Sequence, residues 1–134
     1  MDIQPFLDAS AATRIHLVAA VAAFGLGAWV LSRPKGTPVH RALGRVWMGL
    51  MVVAALSSFL IAATLVPVIG RFGIIHGLSV LVLAMVVLAI RAARAGRIRG
   101  HRYYVLGLYA GAILGAGAGA LAPGRLISRM LGYA

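Results

Sequence analysis

Four histidines, His16, His40, His76 and His101, are the residues of this 134-residue chain best suited to coordination chemistry. Each stands within the first turn or so of a different apolar stretch, or just ahead of it. Antiparallel packing then puts His16 and His76 at one membrane depth and His40 and His101 at the other. Alternate helices of a simple four-helix bundle are diagonal. Two imidazoles facing one axis from opposite sides are the ligand set of a b-type haem. The spacing therefore points to two stacked bis-histidine sites, His16 with His76 and His40 with His101, each holding haem b. Taken singly, a histidine near a helix end is an interfacial polar residue, and it is the matched depths that carry the haem reading. His40 is the weakest ligand, because it lies before its apolar stretch, two residues after Pro38.

Haem propionates are anionic and need cations near the membrane surface. Arg41, Arg45 and Arg102 stand beside the inner pair, Arg14 and Arg71 beside the outer pair. Below His16, the small residues Ala20, Ala23 and Gly27 leave room for a macrocycle. On the fourth span Gly107, Gly111, Gly115 and Gly119 form a ridge in steps of four, which is a close-approach surface for helix packing, with cofactor or subunit contact as the other use. Ser57, Ser58, Thr64 and Ser79 are the other hydroxyl residues of the spans, of a kind that bonds back to its own helix. Much other chemistry is missing. The chain has no cysteine, so there is no disulfide, iron–sulfur cluster or thiolate ligand. Its only acids are Asp2 and Asp8, so carboxylate pairs, acidic cation sites and an intramembrane acidic proton relay are excluded.

The elements that must position the histidines follow from composition. A chain 62% apolar, 11% charged and of mean hydropathy +0.98 is too apolar for a soluble domain of this length. Four stretches, about 15–31, 46–66, 72–90 and 103–121, are long enough to span a bilayer. Pro34, Gly36 and Pro38 break the first connection, Pro67 and Gly70 the second, Gly96 and Gly100 the third. The expectation is an all-α integral membrane four-helix bundle, up-down-up-down, forming one domain over residues 1–134. After Pro123, residues 124–134 read as a short interfacial helix, with Leu126, Ile127, Met130 and Leu131 set against Arg125, Ser128 and Arg129, a disordered tail being the alternative.

Ile15-His16 is followed 24 residues later by His40-Arg41, and Ile75-His76 is followed 25 residues later by His101-Arg102. The bundle thus reads as two tandem hairpins related by a pseudo-two-fold along the membrane normal. Nine of the thirteen cations, Arg33, Lys35, Arg41, Arg45, Arg91, Arg94, Arg97, Arg99 and Arg102, fall in or beside the first and third connections. The positive-inside rule places those connections in the cytoplasm and both termini outside a bacterial cytoplasmic membrane. This distribution fits membrane topology rather than nucleic-acid binding. Trp29, Trp47, Tyr103 and Tyr104 would form an aromatic belt on the cytoplasmic side.

The segment KGTPVHRALGRVW at 35–47, the Ile75-His76 pair, the GHR at 100–102 and the PGR at 123–125 resemble motifs of the bacterial membrane-protein family DUF2306. The resemblance covers about residues 15–131 and matches family positions at His16, Lys35, Gly36, His40, Arg41, Gly44, Arg45, His76, His101, Arg102 and Gly124. It implies a four-span fold and carries no activity. One departure is Gly73-Ile74 ahead of Ile75-His76, where many members have Ser-Pro. The plan is also similar in architecture to small two-haem membrane cytochromes of the b561 kind, without a shared sequence signature.

The leading expectation is a small b-type cytochrome relaying electrons across or within the membrane, with a quinone or a redox protein as partner. The alternative is a cofactor-free accessory or scaffold subunit of a larger membrane complex or homo-oligomer, docking through the glycine ridge and the basic connections. Either way the chain reads as an electron-transfer or accessory subunit more than as a stand-alone enzyme.

Overall fold

The protein is described by a computed structural model over residues 2–62, 67–70 and 72–132. It is an all-α membrane bundle. A short helix α1 (Gln4–Leu7) leads into four long segments: α2 (Ala11–Ser32), α3 (Pro38–Ser58), α4 (Ile74–Arg94), and a fourth span over Ile98–Ala120. That last span consists of α5 (Ile98–Gly111), a π-helical stretch (Ala112–Gly117) and α6 (Ala118–Ala120), and α7 (Leu126–Leu131) follows it. All four are long and apolar enough to cross a membrane.

The helix starts are set by capping groups rather than by where the apolar runs begin. Ser10 Oγ accepts the Thr13 N–H at 3.2 Å and opens α2. Thr37 Oγ1 accepts the His40 N–H at 3.0 Å, and Pro38 occupies the first helical position. For this reason α3 starts at Pro38, ahead of the apolar stretch at 46, and His40, Arg41 and Arg45 all lie on helix. The same helix stops at Ser58. Beyond it, two short antiparallel strands, β1 (Pro67–Ile69) and β2 (Phe72–Gly73), pair around Gly70, whose φ of +56° is in the left-handed region. At the far end of α4, Gly96 has φ +68°, its N–H bonds to Ala93 O at 3.1 Å, and the Arg97 N–H bonds to Ala92 O at 2.9 Å. That pair of bonds is a Schellman closure, and it turns the chain directly into α5.

Packing follows the two hairpins. α2 lies along α3, α4 lies along α5, and α3 meets α4 in the middle. One core draws on all four spans: Ala23 from α2, Trp47, Met48 and Met51 from α3, Val86 and Ala89 from α4, and Leu108 from α5. Large apolar residues such as Val18, Val21, Val80, Val87 and Leu114 point outward, as a lipid-facing surface requires.

Lipid is as apolar as these side chains, so close backbone approach and polar cross-links must hold such helices together. Trp47 Nε1 donates to Ala23 O at 2.9 Å, tying α3 to α2. Ser58 and Ser79 hydroxyls meet at 2.6 Å, tying α3 to α4. Tyr109 OH donates to Phe24 O at 3.1 Å and its ring stacks on Phe24 with centroids 6.1 Å apart, tying α5 to α2.

Two expectations need correction. Trp47 is not part of an interfacial belt: it is only 2% exposed and lies in the core, because its indole N–H finds the Ala23 carbonyl inside the bundle. Trp29 and Tyr103 do face outward, and the Arg33 guanidinium lies 5.1 Å from the Trp29 ring centroid. In the tail, Ser128 turns inward and is fully buried, its hydroxyl donating to Arg125 O at 2.8 Å. The same short helix is pinned to the start of the chain by the Asp2 N–H on Met130 O at 2.8 Å.

Candidate functional site

The four histidines fall at the two ends of the bundle. His40 and His101 lie at the end carrying the connections 33–37 and 95–97, here the cationic end. His16 and His76 lie at the other, with α1, α7 and the β1–β2 hairpin.

At the cationic end, Thr37 and Pro38 place His40 in the first turn of α3, and the Schellman turn at Gly96 places His101 in the first turn of α5. The two imidazoles come within electrostatic reach of each other, with Lys35 close to His40 as well. His101 Nδ1 lies 3.0 Å from Ala89 O on α4. A carbonyl only accepts, so Nδ1 carries the proton and Nε2 keeps its lone pair. That is the usual arrangement of a ligating histidine, held in place through its second nitrogen. His40 Nδ1 is buried and, among the described residues, has no hydrogen-bond partner. At the C-terminus of α2 the Lys35 ammonium donates to Val30 O at 3.3 Å, to Leu31 O, and to Arg33 O at 2.6 Å, and Val30 O lies within reach of the His40 ring as well. Gly36, at φ +79°, bends the chain so that Lys35 folds back onto those carbonyls.

The opposite end is asymmetric. His16 Nδ1 lies 2.8 Å from Ala54 O on α3, with Ser57 Oγ at 3.3 Å, so it too has Nδ1 protonated and a lone pair on Nε2. His76 has neither nitrogen to spare. Its Nδ1 accepts the Gly73 N–H at 3.0 Å, and its Nε2 donates to Ile61 O at 3.1 Å. Its ring is 5% exposed and packs against Phe59 and Phe72, at centroid distances of 5.8 and 5.0 Å. Gly73 has no side chain to cap α4, and the His76 ring, three residues on, bonds back to its N–H as the Glu of a capping box would. Replacing His76 with Leu should therefore leave the Gly73 N–H and Ile61 carbonyl unpaired, at a cost of about 2 kcal/mol. Amide exchange at residues 72–76 should quicken while that around Ala89 stays as in the parent. Unchanged protection at the start of α4 would show that the ring does not hold this turn.

The structure puts other tissue where a macrocycle was expected beneath His16. Ala23 and Gly27 are buried, and a Cβ built on Gly27 would lie 2.6 Å from Trp47 Nε1 and 2.7 Å from Tyr109 Cε2. The space opened by these small residues is filled by two aromatic side chains from α3 and α5. On the fourth span, Gly107 faces Met85, Gly115 faces Leu78 and Gly119 faces Ile75, all on α4, whereas a Cβ on Gly111 would meet nothing within 4 Å. The ridge is mostly the seam of its own hairpin. Arg41, Arg45 and Arg102 are exposed at the cationic end, next to the inner pair, and Arg14 is exposed two residues before His16. Arg71 and Thr64 lie outside the described residues. Ser57, Ser58 and Ser79 do bond back to their own helices, at Val53 O, Ala55 O and Ile75 O, but each also reaches a second helix. Trp47, Tyr109 and Lys35 are the residues whose positioning roles the sequence hid. For Lys35 the signal was present, as a lysine and a glycine just past a helix end.

Residues 13–128 match the profile of a family described as predicted membrane protein, DUF2306. The chain belongs to the DUF2306 family. No curated protein and no solved structure matches it significantly. In this DUF2306 protein the family-like segment KGTPVHRALGRVW is one local device: Lys35 closes α2, Gly36 reverses the chain, Thr37 and Pro38 open α3, and His40 is delivered to the cationic end.

Proposed function

We propose that this DUF2306 protein is a small b-type cytochrome of the bacterial cytoplasmic membrane, with His40 and His101 as its principal haem ligands. The observation that carries the reading is the state of that pair. His101 is held through Nδ1, and among the described residues its Nε2 is unbonded and the buried Nδ1 of His40, on α3, has no partner. Histidines with no role beyond the interface would both be satisfied, as His76 is.

When bound, haem supplies a reversible one-electron change at its iron. The chain itself supplies binding and orientation. Ala89 fixes the His101 tautomer, Thr37 and Pro38 set His40 in the first turn of α3, and Arg41, Arg45 and Arg102 would offer cations to propionates. The cationic end would face the cytoplasm under the positive-inside rule. A second haem between His16 and His76 would complete a path to the other face. It has less support, since His16 offers a lone pair while His76 must first release Gly73 or Ile61. The electron donor would be a quinol or a cytoplasmic protein. For the cofactor-free accessory reading, most of the glycine ridge packs in the α4–α5 seam, which leaves the open position at Gly111 and the basic connections as its docking surfaces.

The test is a reduced-minus-oxidised absorbance spectrum of detergent-purified protein made with ample haem, with haem counted per chain. His40→Ala and His101→Ala should each abolish the inner haem's α-band, and His16→Ala should leave that band in place. A colourless parent protein that remains folded would end the proposal.

A further inference from the structure

We propose that the cationic end of the bundle is the docking face for an acidic soluble protein, the carrier that delivers electrons to the His40–His101 site. What that partner does rests on the haem reading; where it docks does not.

The surface is open and of one sign. Residues 32–39 and 93–99 are all exposed, because each connection passes directly from one helix to the next and leaves no chain to fold over the end. Nine of the thirteen cations lie in or beside these connections, and the only acidic side chains, Asp2 and Asp8, flank α1 at the opposite end. Two of the nine are engaged locally, Lys35 on the α2 carbonyls and Arg33 over the Trp29 ring. Arg41, Arg94, Arg97, Arg99 and Arg102 are exposed, with no acidic side chain at their end of the bundle to meet them. Topology accounts for cations on a cytoplasmic face, but acids weigh little in it, so it does not explain why carboxylates are missing there. A surface of a single sign attracts an oppositely charged partner from a distance and orients it on arrival.

Position relative to the histidines selects the kind of partner. The His101 N–H bonds to Arg97 O at 3.0 Å, so His101 lies one turn, about 5 Å, below that exposed arginine. The His40 N–H is held by Thr37 in the first connection, and the two imidazoles are within electrostatic reach of each other. A protein seated on the cations would therefore sit directly above the pair. A quinol is uncharged and gains nothing from such a surface, whereas an acidic one-electron carrier does. One electron would pass from the reduced carrier to the ferric iron, which becomes ferrous, with no bond made or broken.

The experiment places the full-length protein in phosphatidylcholine nanodiscs and reads docking by the fluorescence anisotropy of dye-labelled flavodoxin, a small acidic electron carrier. Labelled cytochrome c, which is basic, runs in parallel. Flavodoxin should bind at low salt and weaken about tenfold or more as salt rises to a physiological level, and cytochrome c should not bind. Arg97→Gln combined with Arg99→Gln, both exposed, should weaken binding about tenfold, while Arg14→Gln at the other end should leave it unchanged. In haem-loaded protein, the rate of reduction by flavodoxin hydroquinone should fall with salt and with the paired substitution in the same proportion. Equal binding of the two carriers, or binding indifferent to the paired substitution, would overturn the proposal. So would loss of binding when part of the lipid is replaced by phosphatidylglycerol, which would assign these cations to headgroups. Docking is read with or without haem. A colourless protein that binds flavodoxin ends the haem reading alone, and a haem-loaded one that does not bind it ends this proposal alone.

Discussion

Gly27→Leu should be the most damaging single substitution in this protein, costing about 3 kcal/mol or more. A Cβ at this position would come within 2.6 Å of Trp47 Nε1 and 2.8 Å of Tyr109 Cδ2, before any further carbon is added. Neither ring is free to retreat. The indole is held by its bond to Ala23 O, and Tyr109 by its hydroxyl on Phe24 O and its stack on the Phe24 ring. Overpacking of a close-packed site typically costs about 1–3 kcal/mol and occasionally more. Two anchored aromatics from two different helices put Gly27 at the upper end. Relief would require α2 to move off α3 and α5 together. The measurement is unfolding by SDS titration in mixed micelles, with Gly25→Leu as the control. A Cβ on Gly25 meets nothing within 4 Å, so that change should stay within about 0.5 kcal/mol of the parent. Parent-like stability in Gly27→Leu would mean that Trp47 and Tyr109 do not pack here.

Trp47→Ala should follow closely, at about 3 kcal/mol. Large-to-small core changes at tryptophan cost about 3–5 kcal/mol in soluble proteins, from lost transfer energy together with the cavity left behind. Within a bilayer the transfer contribution falls away, since a separated helix exposes the indole to lipid rather than to water. What remains is dispersion with Ala23, Met48, Leu108 and Tyr109, the cross-helix hydrogen bond, and a void at the junction of three helices. This argues for the lower end of the range. Trp47→Phe should cost about 1 kcal/mol, because it keeps most of the packing and loses only the bond to Ala23 O. The same titration reads both. Equal losses in the two variants would make the hydrogen bond, and not the packing, the dominant part.

Much of the architecture was legible one residue at a time. Runs of apolar residues broken by Pro34, Pro67 and Gly96 specify four spans, because a bilayer allows few alternatives to a helix of that length. The two-hairpin plan and the ends at which the histidines lie follow from the same punctuation. The ends of the helices were less legible. α3 begins at Pro38 because Thr37 caps it, and a single hydroxyl outweighs the start of the apolar run at 46.

The chemistry of each histidine was not legible, because it depends on groups brought in from elsewhere in the chain. His76 is spent on Gly73 and Ile61, His101 is pinned by Ala89, and His40 Nδ1 has no partner among the described residues. Local sequence gives all four the same appearance, near the start of a span. Small residues such as Gly27 are equally ambiguous: they mark a close approach without naming what approaches. Composition and periodicity by themselves determined a four-helix membrane bundle with most of its cations at one end, since the bilayer selects on each segment separately. Only the tertiary structure decided which imidazoles keep a free nitrogen and which side chains fill the centre, because hydrogen bonds and packing are settled between helices, not within them.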